Sequence, residues 1–310
     1  MRIGIIGRTR KLYRAAQLLI DAGHAIPLIV SAKAAPEYYV DSSDFESLAK
    51  QLSAEFIHTA HIHQHLDLIT KCGPLDVAVS VNYPGIIPQN VIDCFNLGIL
   101  NAHGGDLPRY RGNACQAWAI LNGEDRIGLC VHKMVGGELD SGDIIVRDYL
   151  PIDINTRIGR VWEWFEKRIP QMFLSAVSKL GEDPDYILES QSSDPADALR
   201  CYPRRPEDGR IDWTSSNEEI LRLINASSEP YRGAFCSYKG KKMVIWRGSL
   251  PTQDRENYCA IPGQVSSSDG EGGAVTIITG DGKLIITDAE YDGDRDNPAK
   301  FISSMRDRLQ

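Results

Sequence analysis

The first half of the chain alternates short runs of aliphatic residues with segments of helical periodicity, and this alternation limits the fold more than any other feature. The runs are RIGII, AIPLIV, EFIHT, DVAVSVN, GILNAH and GLCVHKM. Helical patterns lie between the first of them at 12–23 and 44–52, the former closing on Gly23 as a helix C-terminus does. Strands that are apolar on both faces and alternate with helices form a largely parallel sheet covered on both sides. A further strand is expected at 143–152 and one long helix at 155–181, with Pro170 as a kink.

The character changes after that helix. Residues 182–205 are polar and proline-bearing, which suits a linker. Residues 206–310 then offer one helix at 217–226 and several short strand candidates, AFCSY, KKMVIW, AVTIIT and KLIIT, with turns such as KGKK and TGDGK. A small β-barrel or β-sheet domain is the simplest assembly. SSSDGEGG (266–273) is expected as a surface turn. The expected organisation is a catalytic α/β domain at 1–181, the linker, and a small second domain at 206–310.

Composition narrows the function classes. The N-terminal MRIGIIGRTRKL is too short in its apolar part for a signal peptide. No run approaches the ~18 apolar residues of a membrane span. Seven scattered cysteines, none in a C-x-x-C pair, argue against a disulfide framework or a cysteine-based zinc site and suit the reducing cytoplasm. A net charge of −8 provides no broad attraction for nucleic acid.

Two site-like features carry less weight. Gly4 and Gly7 begin a glycine loop, but the G-x-G-x-x-G spacing of a dinucleotide site is absent. His58, His61, His63 and His65 crowd into eight residues. A strand and turn would aim those rings apart, with no cysteine nearby, so no metal site is expected.

The chemistry concentrates in GILNAHGGDLPRYRG. Period-two alternation puts Asn101 and His103 on one side of a strand, and Gly104-Gly105 end it where ligands gather at the carboxyl edge of a parallel sheet. Gly112 is expected to open a helix, NACQAWAIL. In HKMVGGELDSGDII a second strand breaks at Gly136-Gly137, and Asp140 precedes another. An amide, an imidazole and a carboxylate without a serine or cysteine nucleophile suit direct acyl transfer between two bound substrates. Asn101 would stabilise the oxyanion, His103 would act as base, and Asp140 would orient the imidazole. The same residues also fit a satisfied strand end and a turn, and spacing alone leaves both readings open.

Asn101-x-His103, Leu107-Pro108-Arg109-Tyr110-Arg111-Gly112 and Asp140-x-Gly142 resemble the signature of 10-formyltetrahydrofolate-dependent formyltransferases. This group includes methionyl-tRNA, glycinamide ribonucleotide and nucleotide-sugar formyltransferases. The likeness runs to about residue 250 and includes CYPRRPEDGRIDW, and it is greatest to the type acting on UDP-4-amino-4-deoxy-L-arabinose. The resemblance implies a Rossmann-like catalytic domain, an OB-like second domain, and Asn101, His103 and Asp140 as the catalytic residues. It implies 10-formyltetrahydrofolate as co-substrate and no metal. Folate would meet Gly85, Ile86, Ile87, Asn113, Gly136, Gly137, Glu138, Leu139 and Asp140. Gly105, Asp106 and Cys115 depart from the group's usual Ser, Leu and Pro.

The acceptor is argued from charge. Residues 206–310 hold 13 Lys+Arg against 17 Asp+Glu, poor ground for a polyanionic tRNA. A nucleotide-linked amino sugar needs only local cations and a stacking aromatic, for which Arg109, Tyr110 and Arg111 are candidates; Asp106 is a candidate for a cationic or hydroxyl-rich acceptor. Packing and salt bridging are the alternative roles of these side chains. The reading is a cytoplasmic enzyme of lipopolysaccharide O-antigen sugar formylation, with a homodimer left open. Methionyl-tRNA, hydroxyornithine, or a binding module without turnover are the alternatives.

Overall fold

Residues Arg2–Gly7 are apolar on both faces and form the first strand, β1, with five of six residues buried. The computed structural model describes residues 1–35, 38–252, 256–269 and 272–310. It divides into two units, one of residues 1–115, 127–150 and 162–201, the other of 116–126, 151–161 and 202–310.

After β1 come α1 (Arg10–Asp21), β2 (Ala25–Ser31), α2 (Ser42–Leu52), β3 (Glu55–His58), α3 (Leu66–Lys71), β4 (Val77–Val81), α4 (Gln89–Ile92) and β5 (Ile99–His103). Thr9 caps α1 by accepting from the Leu12 N–H, and Asp41 with Asp44 forms a capping box on α2. Next are β6 (Arg111–Gly112), α5 (Cys115–Leu121), β7 (Arg126–Lys133), β8 (Ile144–Pro151), α6 (Ile158–Glu182) and β9 (Arg200–Cys201). The long helix appears as expected and runs continuously through Pro170. The helix expected to open at Gly112 starts at Cys115, because Gly112 has a φ of +102° and belongs to β6.

The sheet of the first unit has the order β3-β2-β1-β4-β5-β7-β8. The pairs β3–β2, β2–β1, β1–β4 and β4–β5 are parallel, while β5–β7 is antiparallel. The chain builds outward from β1 through β2 to β3, then returns to the other side of β1. Such a reversal opens a crevice at the carboxyl ends of the strands. His103 ends β5 at that edge, beside β4.

Residues 182–201 act as a strap on this unit. The Ile144 N–H donates to the Glu189 carbonyl at 2.8 Å, the Leu188 N–H donates to the Ile144 carbonyl at 2.9 Å, and β9 pairs with β6. Polar composition suggested a linker; backbone hydrogen bonds, which composition does not register, tie the segment down.

The second unit holds α7 (Asn217–Ser227), β10 (Ala234–Tyr238), β11 (Lys241–Ser249), β12 (Val265–Ser268), β13 (Val275–Ile278), β14 (Lys283–Tyr291) and β15 (Asp294–Asp296). Its antiparallel sheet has the order β10-β11-β14-β13-β12, with β15 on β14. Lys239 and Gly240 both take positive φ in the β10–β11 hairpin, as a two-residue turn there requires. The serines of the expected 266–273 turn instead lie in β12, an edge strand that buries Val265. Residues 270 and 271 of that stretch lie outside the described residues. The chain's last residues bridge the two edges of the sheet, Leu309 to Tyr238 and Arg308 to Gln264.

Leu309 is 1% exposed and packs in the core with Ile224, Ile245 and Ile286. Leu309→Ala is expected to lower unfolding free energy by about 2–5 kcal/mol in urea denaturation. A loss below about 0.5 kcal/mol would show that closure contributes little.

Candidate active site

The site is assembled at the carboxyl end of β5. Strand alternation aims Asn101 and His103 the same way, and the antiparallel neighbour β7 sets His132 directly opposite Asn101. Asp140 arrives on the loop between β7 and β8 with its backbone in the left-handed region, φ +50°. Its carboxylate lies between two imidazoles. Oδ2 is 3.5 Å from His103 Nδ1, and Oδ1 is 3.4 Å from His132 Nε2. Oδ2 also accepts from the Gly112 N–H at 2.9 Å.

These contacts determine the charge. Burial opposes ionisation of Asp140, but His103, His132 and the Gly112 N–H together outweigh it and hold the carboxyl well below the usual carboxylate range. His103 is 7% exposed, and its Nε2 lies 2.6 Å from the Tyr110 carbonyl. A carbonyl only accepts, so Nε2 carries a proton, and Nδ1, facing the Asp140 carboxylate, is the nitrogen that gains or releases the second one. An imidazolium formed there would donate on both sides. Gly105 makes this fit: a Cβ would stand 2.3 Å from the Tyr110 carbonyl and 2.7 Å from His103 Nε2.

His132 is the residue that motif reading passed over. It is 2% exposed, and its Nδ1 donates to the Lys133 carbonyl at 2.9 Å. Its Nε2 lies between Asp140 Oδ1 at 3.4 Å and the Asn101 amide nitrogen at 3.3 Å. That contact positions the carboxamide beside the carboxylate. The apolar run GLCVHKM concealed His132 as one more strand residue, and only the β5–β7 register reveals it.

The two loops expected to meet the folate are tied together through Gln89. The Gly136 N–H donates to Gln89 Oε1 at 3.0 Å, joining the 136–140 loop to α4, which follows the 85–87 loop. Ile86 is 81% exposed and Leu139 39%, while Ile87 is buried. Asn113 and Glu138 are exposed, and Gly137 takes positive φ in the loop.

The acceptor candidates are placed differently from one another. Asp106 Oδ1 accepts from Arg147 at 2.6 Å and from the Tyr149 hydroxyl at 3.1 Å, so its carboxylate anchors the loop after His103. The Tyr110 ring is 3% exposed and offers no open face for a base; what it presents to the cluster is its carbonyl. Arg111 donates to Gln191 at 2.8 Å. Arg109 is exposed, with its guanidinium 5.3 Å from the Tyr110 ring centre. Among the described residues no group of three or more His, Cys, Asp or Glu is arranged to hold a metal ion, the 58–65 histidines included. No helix among them is long and apolar enough to cross a membrane.

Comparison with known proteins gives a family match along most of the chain. A formyl transferase model matches residues 8–177, and a formyl transferase C-terminal domain model matches residues 204–306. The chain is similar to a methionyl-tRNA formyltransferase of Akkermansia muciniphila, 32% identical over 243 residues, covering 76% of this chain and 73% of that one. Among solved structures, an N-formyltransferase from Helicobacter canadensis in complex with folinic acid and dTDP-3-aminofucose has a TM-score of 0.68 at 17% identity. The match covers 92% of this chain and 98% of that one. HypX from Aquifex aeolicus in complex with tetrahydrofolic acid has a TM-score of 0.61 at 20% identity, over 98% of this chain. This chain spans 47% of HypX, under half of its length. At such identities the structural likenesses establish the fold.

The depressed pKa of Asp140 gives a direct test. In protein carrying 13C-labelled aspartate, the Asp140 carboxyl carbon is expected to keep its ionised shift as pH falls to about 4, where an ordinary aspartate is half protonated. A midpoint above that value would contradict the described surroundings of the carboxylate.

Proposed function

The chain belongs to the formyl transferase family, and we propose that it transfers the formyl group of 10-formyltetrahydrofolate to the amine of a nucleotide-linked amino sugar. The observation that carries this reading is the convergence of Asn101, His103, His132 and Asp140, linked by contacts of 3.3 to 3.5 Å at a strand's carboxyl end.

The neutral amine attacks the formyl carbon, forming a C–N bond and pushing electrons onto the formyl oxygen. Asn101, positioned beside His132, donates an amide hydrogen to that oxyanion. His103 Nδ1 takes the proton lost by the amine, and the ionised Asp140 beside it stabilises the imidazolium. Collapse breaks the bond from carbon to N10 of the folate, and the His103 imidazolium returns its proton to N10, so that tetrahydrofolate leaves. The pterin lies against the loops at 85–87 and 136–140, where exposed Ile86 and Leu139 offer apolar contact to a planar ring.

An amino sugar is favoured over tRNA by the acidic balance of residues 206–310, 13 Lys+Arg against 17 Asp+Glu. The fold shared with the Helicobacter canadensis enzyme is consistent with it. Arg109, exposed beside the cluster-forming turn, is the cation proposed to meet the nucleotide's phosphates. The second reading, a methionyl-tRNA acceptor, is favoured by the identity to the Akkermansia protein. A cytoplasmic place suits both acceptors and the seven free cysteines. With a sugar acceptor the product would enter surface-polysaccharide synthesis.

Incubation with 10-formyltetrahydrofolate and a panel of UDP-, GDP- and dTDP-linked amino sugars plus methionyl-tRNA, followed by mass spectrometry, separates the readings. One sugar is expected to gain the mass of a carbonyl group. Formylation of methionyl-tRNA alone would overturn the acceptor assignment. Asn101→Ala is expected to slow transfer by about 10²–10³-fold, the cost of one oxyanion donor. His103→Ala is expected to abolish transfer with little change in melting temperature. Wild-type rates in both variants would reject the catalytic assignment.

A further inference from the structure

The loop that carries Asp140 is held from outside by one side chain in the strap. Gln191 Nε2 lies 2.9 Å from the Asp140 carbonyl and 2.7 Å from the Gly142 carbonyl. Its Oε1 accepts from Arg111 Nη2 at 2.8 Å. Both amide hydrogens and the amide oxygen are therefore used. Arg111 immediately precedes Gly112, whose N–H holds the Asp140 carboxylate.

The bonds close a ring. From the Asp140 carboxylate it runs to the Gly112 N–H, back one residue to Arg111, across to Gln191, and home to the Asp140 carbonyl. Within this ring Asp140 keeps a left-handed backbone, φ +50°, a conformation that persists only where the surroundings enforce it. We propose that Gln191 is a positioning residue, which holds Asp140 in its left-handed conformation and so aims the carboxylate between His103 and His132. Its bearing on transfer rests on the catalytic reading above, whereas its bearing on Asp140 geometry does not.

Only a carboxamide of this length supplies the set. A glutamate accepts from Arg111 but would turn an anion toward two carbonyl oxygens, and a methionine fills the space without bonding. The neighbours of Gln191 on the strap are mostly exposed, so no burial pattern in the sequence distinguishes it.

The test repeats the Asp140 carboxyl titration in Gln191→Ala and Gln191→Glu, with melting temperature recorded and Gln191→Met in reserve where alanine is not tolerated. Once the loop is released, the carboxyl is expected to leave its partners, and its midpoint to rise toward the ordinary value near ~3.9. Transfer turnover is expected to fall roughly tenfold or more, since small misplacements at a reacting centre are costly. A folded Gln191→Ala protein with the wild-type Asp140 titration overturns the proposal. Asp140→Asn at full transfer rate would refute the catalytic reading and leave the positioning claim to the titration alone.

Discussion

The site depends on one carboxylate placed between two imidazoles. The Asp140 side chain is 12% exposed, in surroundings where an isolated charge would be unfavourable, and it stays ionised because His103, His132 and a backbone N–H each approach it. Each partner comes from a different strand: His103 from β5 and His132 from β7 of the main sheet, and Gly112 from β6, which pairs with β9. The carboxylate therefore does more than adjust one histidine. It fixes how the strand ends meet, and through His132 it also bears on the carboxamide of Asn101.

The division of labour between the ring nitrogens follows from elementary hydrogen-bond chemistry. The Tyr110 and Lys133 carbonyls can only accept, so each assigns the proton on the histidine it faces. The other nitrogen of each ring then faces Asp140, Nδ1 of His103 and Nε2 of His132. Two histidines with ring centres 6.3 Å apart thus present opposite ring nitrogens to the same carboxylate.

Much of this was legible in the sequence because it follows local rules. Continuous apolar runs gave the parallel strands, and the Asn101-x-His103 spacing gave two side chains on one face. The parts that were not legible depend on pairing between distant segments. His132 looks like any polar interruption of a strand until the β5–β7 register sets it across from Asn101. Gln191 sits in a polar stretch whose backbone bonds to Ile144 and pairing with β6 have no compositional trace. Tyr110 was read for its ring, yet the fold buries the ring and uses the carbonyl. Asp106, a candidate for meeting the acceptor, is engaged by Arg147, more than forty residues away by sequence, which no local pattern shows.

The most direct measurement of the central claim is a crystal structure with bound folinic acid, an unreactive folate whose formyl group sits on N5. The pterin is expected against the loops at 85–87 and 136–140, with N10 turned toward Asn101 and His103. A folate seated elsewhere, or with N10 out of reach of both Asn101 and His103, would contradict it.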